Sequence, residues 1–224
     1  MIYFLIWGLG IGPNPHLKVW KLFFKKNKKI NKKIINFIIK MEDTTSKNYI
    51  IAKIEIGDED INKDIRILNS REEFIRTKYP SFPEMLEDNK HHNNEESIKK
   101  CEIRIDDELI PFSYFHKFKK KGKYWVKYSF KNCLTDTSNM LDSCDCLTMI
   151  DLSNFNAEKV TCSHFMFSSC GLRYLDLSCF DKNTFFYDYR GIVSGCTALK
   201  IENVITNNED LRYSVKHSLA NDLY

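Results

Sequence analysis

The chain is expected to adopt an α+β, β-dominated fold: a short repeat solenoid of two to three turns, capped at its N-terminal end by a small β-rich domain. Three observations predict this. Between Leu134 and Leu199 one sequence unit is written nearly three times, and Cys144, Cys170 and Cys196 keep its register 26 residues apart. A fixed period of this size marks stacked supersecondary units. Upstream, several short stretches alternate apolar and polar residues as half-buried strands do. Finally, 224 residues with 43% hydrophobic content can bury a sizeable core.

In order, residues 1–47 read as a non-globular basic and apolar leader, 48–133 as the β-rich cap, 134–205 as the repeats and 206–224 as a polar, frayed tail. Met1 to Gly12 is apolar but about half as long as a bilayer span, and no positive region precedes it as in a signal peptide. Lys18 to Lys40 then carries nine lysines and no acid. Three readings compete: a membrane-surface anchor, an unusual signal-anchor, or translated sequence upstream of a true start at Met41. The last is preferred, because Met41-Glu-Asp-Thr-Thr-Ser begins like an ordinary soluble protein. A start at Met41 implies a cytoplasmic protein. A genuine leader implies a membrane-associated or surface protein, with any membrane contact made through residues 1–40.

In the cap, Tyr49 to Ile56 alternates as a strand and Asp64 to Leu68 is a second. Ser70 followed by Glu73 is a capping box that opens a short helix, closed by Pro80 and Pro83. Glu84 to Lys99, with His91-His92 inside, is polar enough to be a loop, and a paired histidine there is solvated filler. Cys101 to Ile105 is a strand ending in the turn Asp106-Asp107-Glu108. Phe112, Tyr114, His116 and Phe118 share a face of the next strand, which turns at Lys119 to Gly122 and returns with Tyr124, Val126, Tyr128 and Phe130. That last strand is expected to cover the open end of the stack.

Within the repeats, Leu147-x-x-Ile150-x-Leu152 and Leu172-x-x-Leu175-x-Leu177 share the L-x-x-L-x-L spacing of leucine-rich repeats. The alternating leucines point inward, and Met149, Asp151, Ser153, Tyr174, Asp176 and Ser178 point outward. Phe155 and Phe180 plug the exit of each strand. The half containing Phe165-Met-Phe suits a helical or 3₁₀ turn on the opposite side. The register cysteines stack as small buried hydrophobes, so mostly reduced thiols are expected.

The matching residues, Leu134-Thr-Asp, Met140, Cys144, Leu147, Asp151-Leu-Ser-Asn-Phe155, Val160-Thr, Met166-Phe167, Cys170, Asp176-Leu-Ser and Phe180, carry a resemblance. This stretch resembles the BspA-like leucine-rich repeat family, in the variety built on V-T-D-M-S-x-M-F-x-x-C-x-x-L-x-x-L-D-L-S-N-F, found in bacterial, mycoplasma and protist proteins. The resemblance implies a curved solenoid used for protein binding, in some members for surface adhesion, and no catalysis. The third unit departs most: Ile192-Val193 replaces Met-Phe, and Lys200 to Ile205 replaces the Asp-Leu-Ser-Asn-Phe strand.

No nucleophile motif, phosphate loop or metal signature is found, so no enzyme activity, cofactor or metal is expected. Cys144-x-Cys146 lacks a second pair at zinc spacing. Two functions remain. One is a protein-binding module using Met149, Asp151, Ser153, Arg173, Tyr174, Asp176 and Ser178, its partner another protein. The other is a binder of nucleic acid or an anionic surface through the basic hairpin 117–125, with Lys117, Lys119, Lys120, Lys121 and Lys123 near Trp125 and Tyr114. Lysines at a hairpin tip also serve simply to deter edge pairing. A net charge of +4 with 29% charged residues describes a soluble chain rather than a dedicated nucleic-acid binder, so nucleic acid is the less expected partner.

Overall fold

The computed structural model describes residues 48–81, 94–181 and 188–221, all within one compact unit spanning 45–224. The leader, His91-His92 and the link 182–187 lie outside the described residues.

The strands are β1 (Tyr49–Ile56), β2 (Asp64–Arg66), β3 (Glu102–Ile105), β4 (Glu108–Ile110), β5 (Phe115–Lys117), β6 (Gly122–Ser129), β7 (Leu147–Asp151), β8 (Leu175–Asp176) and β9 (Val204–Ile205). The helices are α1 (Arg71–Lys78), α2 (Glu95–Lys99) and α3 (Glu209–Asn221). A five-stranded antiparallel sheet runs in the order β4-β3-β6-β1-β7. β2 pairs antiparallel with β5, and β8 pairs parallel with β9.

This architecture corrects the expected leucine-rich-repeat solenoid with a β-rich cap. The fold is α+β, built on antiparallel sheets. A solenoid of that kind needs the repeat strands to form one parallel sheet, and here they do not. β7, the strand of the first repeat, bonds antiparallel to β1, with Lys53 opposite Met149 and Ile51 opposite Asp151. β8, its counterpart in the second repeat, is two residues long and pairs with β9 instead. The repeat strand is therefore the edge of the N-terminal sheet. β1 holds that position, not the last strand of the cap.

The sequence repeat is expressed on the other side, in three tiers of tight turns. The N–H groups of Thr137, Asn139, Leu141 and Ser143 donate to the carbonyls of Cys162, His164, Met166 and Ser168, each at 2.9 Å. Ser163, Phe165, Phe167 and Ser169 donate in the same way to Asp188, Arg190, Ile192 and Ser194 at 2.6–3.1 Å. The tiers are neither α-helical nor 3₁₀, because each turns left-handed twice, at Asn139, Phe165 and Gly191 and again at Ser143, Ser169 and Gly195 (φ 53–74°). Left-handed φ at a phenylalanine costs roughly 1–2 kcal/mol, so the tier contacts must outweigh it. A Cβ on Gly191 would come within 2.1 Å of the Phe165 ring of the tier before. Glycine is required there by space as well as by φ.

The carbonyls of the first tier that no earlier tier can reach are capped from the N-terminal side. The Asn94 Nδ2 donates to the Ser138 carbonyl (2.7 Å), the Asn69 N–H to Met140 (2.8 Å) and the Asn69 Nδ2 to Asp142 (3.1 Å). Both asparagines are almost fully buried. Buried backbone carbonyls need such donors, and the two residues stand where an earlier tier would supply them. Asn69 also takes the Ser70 N–H, so Ser70 caps Glu73 of α1 (3.1 Å) without the reciprocal half of a capping box; Glu73 faces Arg66 and Arg76 instead.

Other expectations change too. Phe112 to Phe118 does not form a hairpin with 124–130: β5 runs along β2, while β6 lies between β1 and β3. Alternation reports which side of a strand is buried but not which strand lies beside it. The segment 94–99, expected as loop, contains α2, held by the fully buried Ile98. The tail is not frayed over its described length. Leu211 and Val215 of α3 are fully buried, four residues apart on one face, and the Asn208 Oδ1 caps the Leu211 N–H at 2.9 Å. One hydrophobic core runs from Ile50 and Tyr128 through Leu147, Leu172 and Phe180 to Val215.

Candidate interaction surface

Alternate residues of the large sheet turn away from the core, and register aligns them in rows. Leu109, Arg104, Lys127, Ile51 and Asp151 form one row across all five strands. Trp125, Lys53 and Met149 form the next, and Lys123 and Glu55 a third. The Lys127 Nζ sits 4.1 Å from the centroid of the Tyr49 ring, within cation–π range. Lys53 pairs with Glu55 at 2.6 Å. That contact leads the interactions that overcome burial and hold the Glu55 carboxyl below its ordinary range.

β8 lies near β7, and the predicted contact residues differ in exposure, the Tyr174 hydroxyl being buried. Ser153 and Arg173 are exposed, while Met149, Asp151, Tyr174, Asp176 and Ser178 are partly buried. The two aspartates shape the backbone. The Asp151 Oδ1 accepts the Ser153 N–H and the Asp176 Oδ1 the Ser178 N–H, both at 2.9 Å. Asp-x-Ser thus closes an Asx turn that ends each repeat strand. Below it Phe155 and Phe180 pack inward with centroids 6.3 Å apart. The face also holds Tyr49, Ile51, Lys53 and Trp125, which sequence reasoning did not select. The alternation of each strand was visible, but nothing local shows that β7 docks on β1.

In the basic segment 117–125 three of the five lysines face acidic residues. Lys117 pairs with Asp64 (3.3 Å), Lys121 with Asp58 (3.0 Å) and Lys123 with Glu55 (3.8 Å). Tyr114 turns inward, its Oη 3.1 Å from both the Ser70 Oγ and the Glu95 Oε1, whereas Trp125 lies on the outer sheet face. His116 packs edge-on against Phe118, and burial lowers its pKa.

Between α1, α2 and the first tier lies a polar seam. Burial works to raise the Glu95 pKa, but hydrogen bonds from Arg76, Lys99 and Tyr114 hold it below its usual range. Glu72 is the opposite case: it is 7% exposed, its Oε2 has no hydrogen-bond partner, and burial raises its pKa. None of the eight cysteines forms a disulfide, and burial pushes the Cys146 thiol up to about 11. Among the described residues no three His, Cys, Asp or Glu side chains come together as a metal site, and no helix is long and apolar enough to cross a membrane. Comparison with protein families, curated proteins and solved structures finds no match for the chain.

Proposed function

We propose that the chain is a non-catalytic protein-binding module whose contact surface is the outer sheet face together with the exits of the repeat strands. The supporting observation is the register that sets Met149 beside Lys53 and Trp125 and Asp151 beside Ile51, with β8 of the second repeat near β7; the proposed contact residues are Met149, Asp151, Ser153, Arg173, Tyr174, Asp176 and Ser178. Aromatic residues, methionine and arginine are the types enriched in the energetic centres of protein interfaces. The resemblance of the repeated residues to BspA-like proteins supports the same reading and suggests a partner at a cell surface.

The test is a photo-cross-linker at Ser153, which is exposed and outside the core. Partner adducts formed by the wild-type face should disappear in the variant Arg173→Glu, a change at an exposed side chain, while its circular dichroism and melting profile stay unchanged. Equal adduct formation by the folded variant would remove the proposal.

A further inference from the structure

Cys144, Cys170 and Cys196 hold equivalent places in successive tiers and are at most 3% exposed. They do more than fill space. The Cys170 thiol donates to the Leu141 carbonyl at 3.1 Å and the Cys196 thiol to the Phe167 carbonyl at 2.9 Å, each acceptor lying one tier back. Cys144, with no tier before it, reaches only the Asp142 carbonyl at 4.0 Å. The Leu141 carbonyl also takes the Cys144 N–H at 3.3 Å. The Phe167 carbonyl has the Cys196 thiol as its single donor among the described hydrogen bonds, in a residue with no exposed surface. A buried carbonyl that loses its donor is left with the full cost of its desolvation.

We propose that the stack of tiers is a redox-sensitive element: it closes only while residues 170 and 196 carry an unmodified hydrogen donor, and a disulfide oxidant that meets the two thiols in an opened state holds it open. With oxidised glutathione the Cys196 thiolate attacks one glutathione sulfur. A protein–glutathione S–S bond forms, the glutathione S–S bond breaks, and the departing glutathione thiolate takes up the proton that Cys196 released. The adduct has no S–H for the Phe167 carbonyl and no room at a site that is 1% exposed. A dithiol reverses the exchange and restores the donor.

Two arms test this on the full chain. In the first, Cys196→Ser, Cys196→Ala and Cys196→Val are compared by urea midpoint and by hydrogen exchange of the Ser163–Ser169 amides. A donor role predicts that serine retains more protection than alanine or valine. If valine matches wild type and serine is worst, the thiol is an apolar filler and the proposal fails. In the second, both proteins carry alanine at the other six cysteines, which the same treatment would otherwise modify; one keeps Cys170 and Cys196, the other has Cys170→Ser with Cys196→Ser, and each is unfolded in urea, treated with oxidised glutathione and diluted. The protein with the two thiols should regain tier protection only after dithiothreitol, and the double variant without it. Equal behaviour of the two, whether both refold or neither does, overturns the proposal. If the double variant does not fold even when untreated, Cys170→Ala with Cys196→Ser takes its place in the same background.

Discussion

In the large sheet, β1 has a hydrogen-bonded partner along both edges, and its residues divide cleanly between an inner set (Ile50, Ala52, Ile54, Ile56) and an outer set (Tyr49, Ile51, Lys53, Glu55). Along β1 no residue is left-handed, and in this sheet that backbone occurs at the β3–β4 turn, at Asp106 and Asp107 (φ 46° and 74°). In the tiers the position is reversed. Side chains repeat every 25 or 26 residues, but what repeats with them is a conformation: two left-handed residues per turn, alternate N–H groups aimed at the next tier and a thiol aimed at the previous one. The sheet is specified by side-chain alternation. The tiers are specified by backbone strain and by donors that must be present in number. One continuous core joins the two regions, so their unlike construction should show as unlike responses to mutation.

The largest expected effect tests that continuity. Leu147 belongs to the first repeat by sequence, yet it pairs with Ile54 of β1 and is fully buried. Leu147→Ala should cost about 2–5 kcal/mol by lost transfer energy and cavity formation. Urea unfolding followed by hydrogen exchange should show β1 and the Ser163–Ser169 tier losing protection together. Separate midpoints for the two segments would mean that the core is not shared cooperatively.

Next in size is the polar junction. In Asn94→Ala the Ser138 carbonyl loses its buried donor and the Arg71 N–H loses the Asn94 Oδ1, a bond of 3.0 Å. Orphaned buried groups cost about 1–3 kcal/mol each. Exchange should quicken first at Thr137 to Ser143 and at α1, with β1 least affected.

These two sites also mark where reading the sequence succeeds. The β1 alternation, the Ser70 cap and the 26-residue register were visible, because each is a local pattern. The role of Asn69 and Asn94 was not, since nothing local tells a buried asparagine that ends a ladder from a loop residue. Nor was the docking of β7 on β1. Leu147-x-x-Ile150-x-Leu152 sets which side of the strand is buried, but its partner lies about 95 residues upstream, and the spacing fits either a parallel or an antiparallel neighbour. In the tail, only Leu211, Val215 and Leu219 mark a helical face among polar residues, which is too sparse to reveal a cap over the last tier. The candidate surface was half legible: its repeat-borne residues recur at fixed offsets, whereas Tyr49, Lys53 and Trp125 join it only through register across three strands.

A smaller effect is expected at Gly191, where the tiers demand an unusual backbone. Gly191→Ala places a Cβ at φ +61° and against the Phe165 ring. The left-handed backbone alone costs roughly 1–2 kcal/mol, and the ring must shift in addition. The same change at Gly57, outside the tiers and with ordinary φ, meets only the flexible end of the Glu59 side chain and should cost less. Comparison of the two urea midpoints checks what the left-handed backbone of the tiers costs relative to an ordinary one.

The smallest effect, and the one whose sign is least obvious, is at Glu72 in the seam between α1, α2 and the first tier. Its folded pKa is raised, first by burial and then by the Glu95 charge. An unfolded glutamate ionises near about pH 4.3. Below that value the carboxyl is neutral in both states and costs nothing through its charge. As pH climbs from there to the folded pKa, the unfolded state releases its proton first, so this group subtracts stability across that interval and by a constant amount above it. Glu95 and Glu55, whose folded pKa values are lowered, act the other way: they add stability as pH rises and lose it as pH falls through their folded values. The wild-type profile therefore mixes opposed contributions, and the difference between Glu72→Gln and wild type isolates one of them. That difference should be near its minimum at about pH 4 and grow in favour of the glutamine variant towards pH 7, reaching about 1 kcal/mol, the lower end of the cost of an unpaired buried polar group. A difference that stays flat with pH would show that the Glu72 carboxylate finds a partner in solution and that the seam carries no buried charge.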